Sequence, residues 1–226
     1  MKLKPSEMSI VNPRRQLLGN ASLLASSLAV AALLPNVAHA QPSPGKDYRV
    51  IDPAQPTDNA AKIEVVEFFW YGCPHCYGLE PILKEWVKKL PADVAFKKMH
   101  VQFQEVKHQQ LFFTLQAMGK ADELSDKVFA GIHVEKNRLD TPAKMADYLA
   151  PFGVKKDDFL KAFDSFGVRT AQGRATKMSE TFKVDGVPAF AVNGKYYTAP
   201  AMAGNNLNAI KVVEYLIDVE RKAMKK

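Results

Sequence analysis

The chain of 226 residues has two cysteines, which stand three positions apart in the segment Cys73-Pro74-His75-Cys76. A disulfide between them would close so short a loop that it would remove little conformational entropy from the unfolded chain. It would add little to the stability of the fold, and a small protein that depends on disulfides spreads several of them along its sequence. This spacing instead indicates chemistry, in which the two sulfurs exchange a disulfide with thiols of another molecule.

The neighbours of the cysteines predict that the first thiol is unusually acidic. Tyr71-Gly72 turns the chain out of a predicted strand, and a helix is predicted to begin near Cys73 with Pro74 in its first turn. Unpaired N–H groups and the helix dipole at that end stabilise an anion, so the pKa of Cys73 is expected to fall. His75 adds a side chain that can be cationic beside the thiolate. A stabilised thiolate favours the reduced state, which predicts that the disulfide is an oxidant.

Three other uses of a cysteine pair fit the sequence less well. Covalent haem attachment needs a histidine directly after the second cysteine, where this chain has Tyr77. A structural zinc ion needs two further ligands, and His100, His108 and His133 lack ligand spacing. A copper carrier would use methionines, but scattered methionines are usually core residues. Those after residue 40 are scattered, at positions 99, 118, 145, 178, 202 and 224. The sequence therefore predicts no metal and no other cofactor.

Glu67 is unusual because it interrupts the apolar run from Val65 to Trp70. A carboxylate in a buried strand is costly unless it is paired or protonated. One interpretation places Glu67 at a sheet edge, in contact with water. The other makes it a proton acceptor beneath the disulfide that serves Cys76 through a buried water. Lys98, on the alternating face of the next predicted strand, is the candidate partner, and the sequence leaves both interpretations open.

The remaining sequence predicts an α/β sheet domain that is interrupted by helices. Residues 41–62 are polar and rich in proline, with little regular structure expected. Strands are predicted at 63–70 and 94–101, and Pro81 is expected to kink the helix between them. The pattern then changes to short helices. These are predicted at 107–118, 121–134, 142–151, 156–165 and 168–182.

A strand signal returns after these helices. Strands predicted at 188–192 and 195–198 flank Asn193-Gly194, which is the dipeptide that tight hairpins favour, and an amphipathic helix follows at 206–223. Pro188 opens the hairpin. It either marks a strand edge or forms a cis peptide bond with Val187 beside the cysteines, and the rarity of cis bonds leaves the choice open.

The first forty residues have the three parts of a secretory signal peptide. A basic start with Arg14-Arg15 precedes the apolar run from Leu17 to Leu34, and Ala38-His39-Ala40 is a small-x-small cleavage pattern before Gln41. Residues 1–40 are therefore predicted to be removed on export, with a retained anchor as the alternative. The arginine pair leaves the choice between the Sec and twin-arginine routes open. The rest suits one domain and has no basic cluster with interleaved aromatics, which argues against nucleic-acid binding.

Together these residues resemble the DsbA-type thiol:disulfide interchange proteins of the bacterial periplasm. The similar segments are Val66 to Tyr77, Lys98 to Val101, and Gly186 to Tyr196. The helical stretch is similar in order and length only. Gly72 is a departure, because a bulkier residue is expected directly before the first cysteine, and this puts the apolar shape of the groove in doubt.

The resemblance implies a thioredoxin fold with an inserted all-helical domain. Its two parts would be residues 41–104 and 183–226, with the insertion at 105–182. It also implies roles for the residues described above. Cys73 would be the surface nucleophile that forms a mixed disulfide, Cys76 its buried partner, Val187 and cis-Pro188 the substrate-binding loop, and Glu67 and Lys98 the buried charged pair.

The implied reaction is transfer of the disulfide to reduced cysteines of newly exported proteins. A quinone-linked inner-membrane protein of the DsbB type would then reoxidise the enzyme in the periplasm. No flavin, metal or nucleotide is expected. The rival on the same fold is a disulfide isomerase or reductant, which usually has an N-terminal dimerisation domain. Residues 41–62 are too short for one, so a monomer is expected. A further rival is a metal-binding or peptide-binding module whose cysteines never cycle.

Overall fold

The computed structural model describes residues 41–103 and 106–225. The predicted signal peptide, residues 1–40, lies outside the described residues. Five strands form one sheet: β1 (Arg49–Val50), β2 (Ile63–Phe69), β3 (Val94–His100), β4 (Ala189–Val192) and β5 (Tyr196–Thr198). The described helices are α1 (Pro74–Val87), α2 (Val106–Ala117), α3 (Ala121–His133), α4 (Pro142–Leu149), α5 (Lys156–Phe163), α6 (Phe166–Thr181), α7 (Pro200–Ala203) and α8 (Asn206–Met224).

The sheet has the strand order β1-β5-β4-β2-β3. β2 pairs with β3 in parallel and with β4 antiparallel, and β5 pairs antiparallel with both β4 and β1. All seven residues of β2 are buried because helices cover both faces of the sheet. Leu79 of α1 and Leu216 of α8 pack on one face, and Phe182, directly after α6, packs on the other. The mixed sheet with helices on both faces confirms the predicted α/β class.

Helices α2 to α6 lie between β3 and β4 in the chain and pack around one apolar cluster. Leu115, Val128 and Phe159 are among its fully buried residues. The same apolar cluster includes Cys73 and Cys76, so the cysteines lie where the sheet and the helices meet. The order strand, helix, strand, helical block (α2 to α6), hairpin and helix is the one predicted from the sequence.

The hairpin is correctly predicted down to its turn. Asn193 and Gly194 both have positive φ, at 50° and 68°, as a tight turn of this kind requires. The N–H of Lys195 closes the turn on the carbonyl of Val192 at 3.0 Å. A central strand and a tight hairpin are both specified by local sequence, which explains why they are predicted well.

Two features of the fold were not predicted from the sequence. The stretch 41–62 was expected to lack regular structure, but Arg49–Val50 adds a fifth strand at the edge of the sheet beside β5. The short helix Pro200–Ala203 was not predicted. Pro81 lies inside helix α1, as predicted, and is exposed, and the kink expected there stays a prediction. No helix within 41–103 and 106–225 is long and apolar enough to cross a lipid bilayer.

Candidate active site

Cys73 is the N-cap of α1. A turn leads from β2 into the helix, and its hydrogen bond runs from the N–H of Cys73 to the carbonyl of Trp70 at 3.0 Å. Pro74 follows in the first helical position, where its missing N–H leaves no bond unmade. The N–H of Cys76 donates to Sγ of Cys73 at 3.4 Å. The sulfur thus takes the place that a side-chain oxygen takes at an ordinary N-cap.

The two thiols have opposite electrostatic surroundings. The pKa of Cys73 is lowered to about 6, chiefly by the hydrogen bond from the Cys76 thiol, with smaller contributions from the N–H groups of Cys76 and His75 and from the charge of His75. Burial opposes this shift but does not cancel it. The pKa of Cys76 is raised, mainly by burial. Near neutral pH, Cys73 is therefore the thiolate and Cys76 the thiol.

The loop before β4 lies against Cys73. The peptide bond between Val187 and Pro188 is cis, which settles the alternative that the sequence left open. Sγ of Cys73 lies 3.3 Å from the carbonyl oxygen of Val187, to which it donates a hydrogen bond when it is protonated. Cys73 has 6% of its surface exposed and Cys76 has none, so Cys73 is more covered than the expected surface nucleophile. The contact with Val187 accounts for part of this cover, whereas Pro74 and His75 are exposed.

Glu67 and Lys98 form an ion pair close to Cys73 and Cys76. They are register partners on the parallel strands β2 and β3, and Nζ of Lys98 lies 3.3 Å from Oε2 of Glu67. Glu67 is fully buried on a central strand, so the alternative that it lies at a sheet edge is wrong. Nζ of Lys98 also forms an ion pair with Oε1 of Glu80, which is buried in α1.

Glu80 was not predicted as a site residue. It stands four residues after Cys76 in α1, and side chains at that spacing share one face of a helix. That spacing was the available signal, because Cys76 was already predicted to face inward. The site thus holds two carboxylates and one ammonium rather than a simple pair.

Burial raises the pKa of Glu67 to about 7, with Glu80 and Cys73 adding to the shift and Lys98 opposing it. Burial would lower the pKa of Lys98, but the charges of Glu67 and Glu80 outweigh it and raise that pKa. Glu67 also contributes to the raised pKa of Cys76. Lys98 is therefore a fixed cation, and Glu67 is a carboxyl group that can gain or lose a proton near neutral pH.

Gly72 is explained by its neighbour Trp70. A Cβ atom placed on residue 72 would lie 2.2 Å from Cζ2 of the Trp70 ring, so the indole occupies the space that a larger residue 72 would need. Trp70 also packs on Phe103, which is partly exposed, with ring centroids 6.2 Å apart. A glycine at position 72 is therefore required by the position of the Trp70 ring.

Each of the three histidines considered as zinc ligands forms a hydrogen bond with a backbone group. His100 accepts from the N–H of Tyr71, His108 bonds the carbonyl of Arg138, and His133 bonds the carbonyl of Tyr71. Over the described residues, no group of three or more His, Cys, Asp or Glu side chains is arranged to hold a metal ion.

Comparison with known proteins agrees with this geometry. Residues 64–209 match the sequence model of the family described as "DSBA-like thioredoxin domain". The thiol:disulfide interchange protein DsbA of Pseudomonas aeruginosa is 42% identical over 207 residues, which is 90% of this chain and 98% of the relative. DsbA of Burkholderia cepacia is 40% identical over 199 residues, 87% of this chain and 94% of the relative.

Solved structures give the same result. The crystal structure of Pseudomonas aeruginosa DsbA matches with a TM-score of 0.79 and 42% identity, covering 82% of this chain and 97% of that one. The structure of the oxidoreductase DsbA from Xylella fastidiosa matches with a TM-score of 0.75 and 27% identity, covering 80% and 98%. Because the family match spans more than half of the chain and the relatives align over nearly their whole length, the chain belongs to the DSBA-like thioredoxin family and is a thiol:disulfide oxidoreductase.

Proposed function

We propose that this protein is a dithiol oxidase, which donates its Cys73–Cys76 disulfide to reduced cysteines of newly exported proteins. The observation that carries the proposal is the placement of the Cys73 sulfur as the N-cap of α1, where it accepts the N–H of Cys76 at 3.4 Å. A thiolate at that position is stabilised, whereas a sulfur in a disulfide carries no charge to stabilise. The reduced protein is therefore favoured, and the disulfide tends to be given away.

The reaction proceeds by two exchanges. A client thiolate attacks Sγ of Cys73, the bond between Cys73 and Cys76 breaks, and the Cys76 sulfur leaves and takes up a proton. The result is a mixed disulfide between Cys73 and the client. A second client thiolate then attacks the client sulfur of that bond, and Cys73 leaves as a thiolate. The client gains a disulfide, and its two electrons remain on the protein as a dithiol.

The neighbouring groups serve these two steps. Glu67, whose pKa of about 7 suits proton exchange, supplies or accepts the proton of Cys76, and Lys98 fixes the carboxyl group through their ion pair. Val187 and cis-Pro188 form the loop that receives the client chain, because the Val187 carbonyl lies 3.3 Å from Sγ of Cys73. Pro74 and His75 are exposed beside the sulfur and meet the client or the reoxidising partner.

The protein's proposed setting follows from its sequence and its family. The predicted signal peptide, residues 1–40, places the mature chain in the periplasm. A DsbB-type inner-membrane protein restores the disulfide by passing the two electrons to a quinone. The redox-active disulfide is the only redox group that the proposal requires, and the mature protein acts as a monomer.

The test is to mix the oxidised protein with a reduced two-cysteine peptide and to measure its equilibrium with glutathione. Rapid oxidation of the peptide and a protein that stays largely reduced in glutathione mixtures are expected. Slow oxidation, with a strongly reducing potential, would overturn the proposal. Cys73→Ser is the control, because it removes the attacked sulfur. Membrane vesicles with and without quinone then test reoxidation.

The rival functions have their own readouts. A stable dimer on a sizing column would favour the isomerase. Failure to catalyse insulin reduction with dithiothreitol as electron donor, together with tight binding of Cu(I), would favour a module whose cysteines do not cycle.

A further inference from the structure

Two histidines hold the backbone of Tyr71, the residue two positions before Cys73. Nε2 of His100, from β3, accepts the N–H of Tyr71 at 3.1 Å. Nε2 of His133 bonds the carbonyl oxygen of Tyr71 at 2.7 Å. The Tyr71 side chain is fully buried, and its hydroxyl shares a hydrogen bond of 2.9 Å with Ser125 of α3. All three polar groups of Tyr71 are thus tied to neighbouring elements.

His133 also contacts the chain on the other side of the segment from Cys73 to Cys76. It is the last residue of α3, within the helical block, and its ring stacks on Tyr77 with centroids 4.9 Å apart and planes only 6° apart. Tyr77 directly follows Cys76. One side chain from the helical block therefore contacts the chain on both sides of the Cys73–Cys76 segment. The exchange reaction described above makes no use of it.

The two histidines play opposite hydrogen-bonding parts. A carbonyl oxygen can only accept, so Nε2 of His133 carries a hydrogen whether the ring is neutral or cationic, and the bond persists in both forms. His100 accepts and must be neutral. Burial lowers the pKa of His100 well below its usual value, with His108 contributing, and so keeps it neutral. The Tyr71 peptide is therefore held across the working pH range.

The turn that follows needs such a restraint. Tyr71 and Gly72 are the two central residues of the turn that the N–H of Cys73 closes on Trp70. Glycine has no Cβ to limit its backbone, so the turn is not fixed by Gly72 itself. The bond from His133 to the Tyr71 carbonyl sets the plane of the peptide that joins these two residues. The orientation of this peptide determines the position of Cys73.

We propose that His133 is a positioning residue, through which the helical block fixes the turn that holds Cys73 at the N-terminus of α1. It touches neither the reacting sulfurs nor the client and acts through the Tyr71 carbonyl. The inference rests on the proposed function only in taking Cys73 as the reacting thiol. It makes the helical block part of the machinery that sets the acidity of that thiol.

The experiment separates the effect of the hydrogen-bond donor of His133 from the effect of its aromatic ring. His133→Phe keeps an aromatic ring for Tyr77 but loses the donor, and His133→Gln keeps a donor but loses the ring. Gln110→Leu is the matched control, because it removes a comparable bond of 2.7 Å from a side chain to the carbonyl of Phe163, within the helical block. For each protein the Cys73 pKa is read from thiolate absorbance against pH, with the glutathione equilibrium and urea unfolding measured beside it.

In His133→Phe the pKa of Cys73 should rise by about 0.5, which makes the ratio of reduced to oxidised protein in glutathione about three-fold smaller. His133→Gln should lie near the wild type, and Gln110→Leu should lose stability without moving either redox quantity. A folded His133→Phe whose Cys73 pKa and glutathione equilibrium match the wild type would overturn the proposal. So would an equal shift in Gln110→Leu.

If His133→Phe does not fold, His133→Met offers an adaptable apolar side chain without a strong donor, and the same shifts are expected. The test compares the Cys73 pKa and the glutathione equilibrium of each variant with those of the wild type. A strongly reducing wild type would overturn the proposed oxidase, whereas unchanged values in the His133 variants would overturn only the positioning role.

Discussion

Cys73 and Cys76 carry the same functional group three residues apart, yet their surroundings differ in every respect that matters to a thiol. The first caps α1, accepts an N–H from the helix and has a small exposed surface. The second is buried inside the same turn, where Glu67 is one of the charges that act on it. The pKa of Cys73 falls to about 6 while that of Cys76 rises. Position relative to a helix end and to a buried carboxyl group, rather than residue type, divides the two roles.

The largest expected effect comes from removing either sulfur. Cys73→Ser should abolish peptide oxidation, because neither the mixed disulfide nor the protein's own disulfide can form. Cys76→Ser should also stop turnover, but its Cys73 thiolate can still attack a disulfide of a client protein, and the resulting mixed disulfide should persist, since the Cys76 sulfur that would release it is absent. Mass spectrometry of adducts after incubation with a client that contains a disulfide checks both. Adducts of Cys73→Ser that are held through Cys76 would reverse the assignment of the two roles.

The next test concerns the carboxyl group that distinguishes Cys76. Release of a mixed disulfide by Cys76 requires that thiol to lose a proton, so its rate should rise as the pH passes through about 7, where Glu67 ionises. Glu67→Gln should remove the inflection of the rate against pH near pH 7 and slow release above pH 7 by about ten-fold. The effect is smaller than a full general-base effect, because the substitution also removes a charge that raises the Cys76 pKa.

Glu64→Gln is the matched control for this step. Glu64 lies on the same strand, is almost fully buried, and forms an ion pair of 2.9 Å with Lys97 of β3. Its replacement should leave the inflection in place. Loss of the inflection in both variants would mean that general electrostatics of the strand, rather than Glu67, sets the pH dependence.

A smaller effect is expected in the turn that leads to Cys73. Gly72→Ala places a Cβ atom within 2.2 Å of the Trp70 ring, so the indole must move, at a cost of about 1–2 kcal/mol in unfolding free energy. Gly78→Ala in α1 is the comparison, because a Cβ there meets nothing within 4 Å. It should stabilise the helix by up to about 1 kcal/mol. Urea unfolding measures the stability of both variants. Equal stability of the two would refute the role given to Trp70.

The smallest effect concerns His75, whose charge is the last of the main causes of the low Cys73 pKa. His75→Ser should raise that pKa by about 0.5 or less, because His75 is exposed and the backbone N–H groups stay in place. The titration is followed by thiolate absorbance at low and high salt. The difference from wild type should shrink at high salt, and a difference that salt does not change would contradict the electrostatic origin.

The parts of the fold that the sequence predicts are those with a local signature. The apolar run of β2, the Asn193-Gly194 turn and the position of Cys73 at a helix start all follow from a few adjacent residues. Strand β1 was missed because two residues give no periodic pattern, and its pairing with β5 depends on residues far along the chain.

The site was predicted only in part for the same reason. The pairing of Glu67 with Lys98 was proposed from strand alternation, and the structure adds Glu80 through helix spacing from Cys76. The cis bond before Pro188 is a minority state that tertiary contacts select, so sequence left it open. The contact of His133 with Tyr71 depends on how the helical block packs against the sheet, and no local pattern reports that.

The central claim is that the folded protein stabilises the thiolate of Cys73 more than it stabilises the disulfide. Urea unfolding of the reduced and oxidised forms at several pH values tests this claim most directly. The pKa of Cys73 is lowered from 9.0 to about 6, so ionisation adds stability to the reduced form as pH rises above 6, with a slope of at most about 1.4 kcal/mol per pH unit. The reduced protein should therefore unfold at higher urea than the oxidised protein at pH 7 to 8, and this advantage should fall as pH drops through 6. An oxidised form that is the more stable one at pH 7 to 8 would contradict the account.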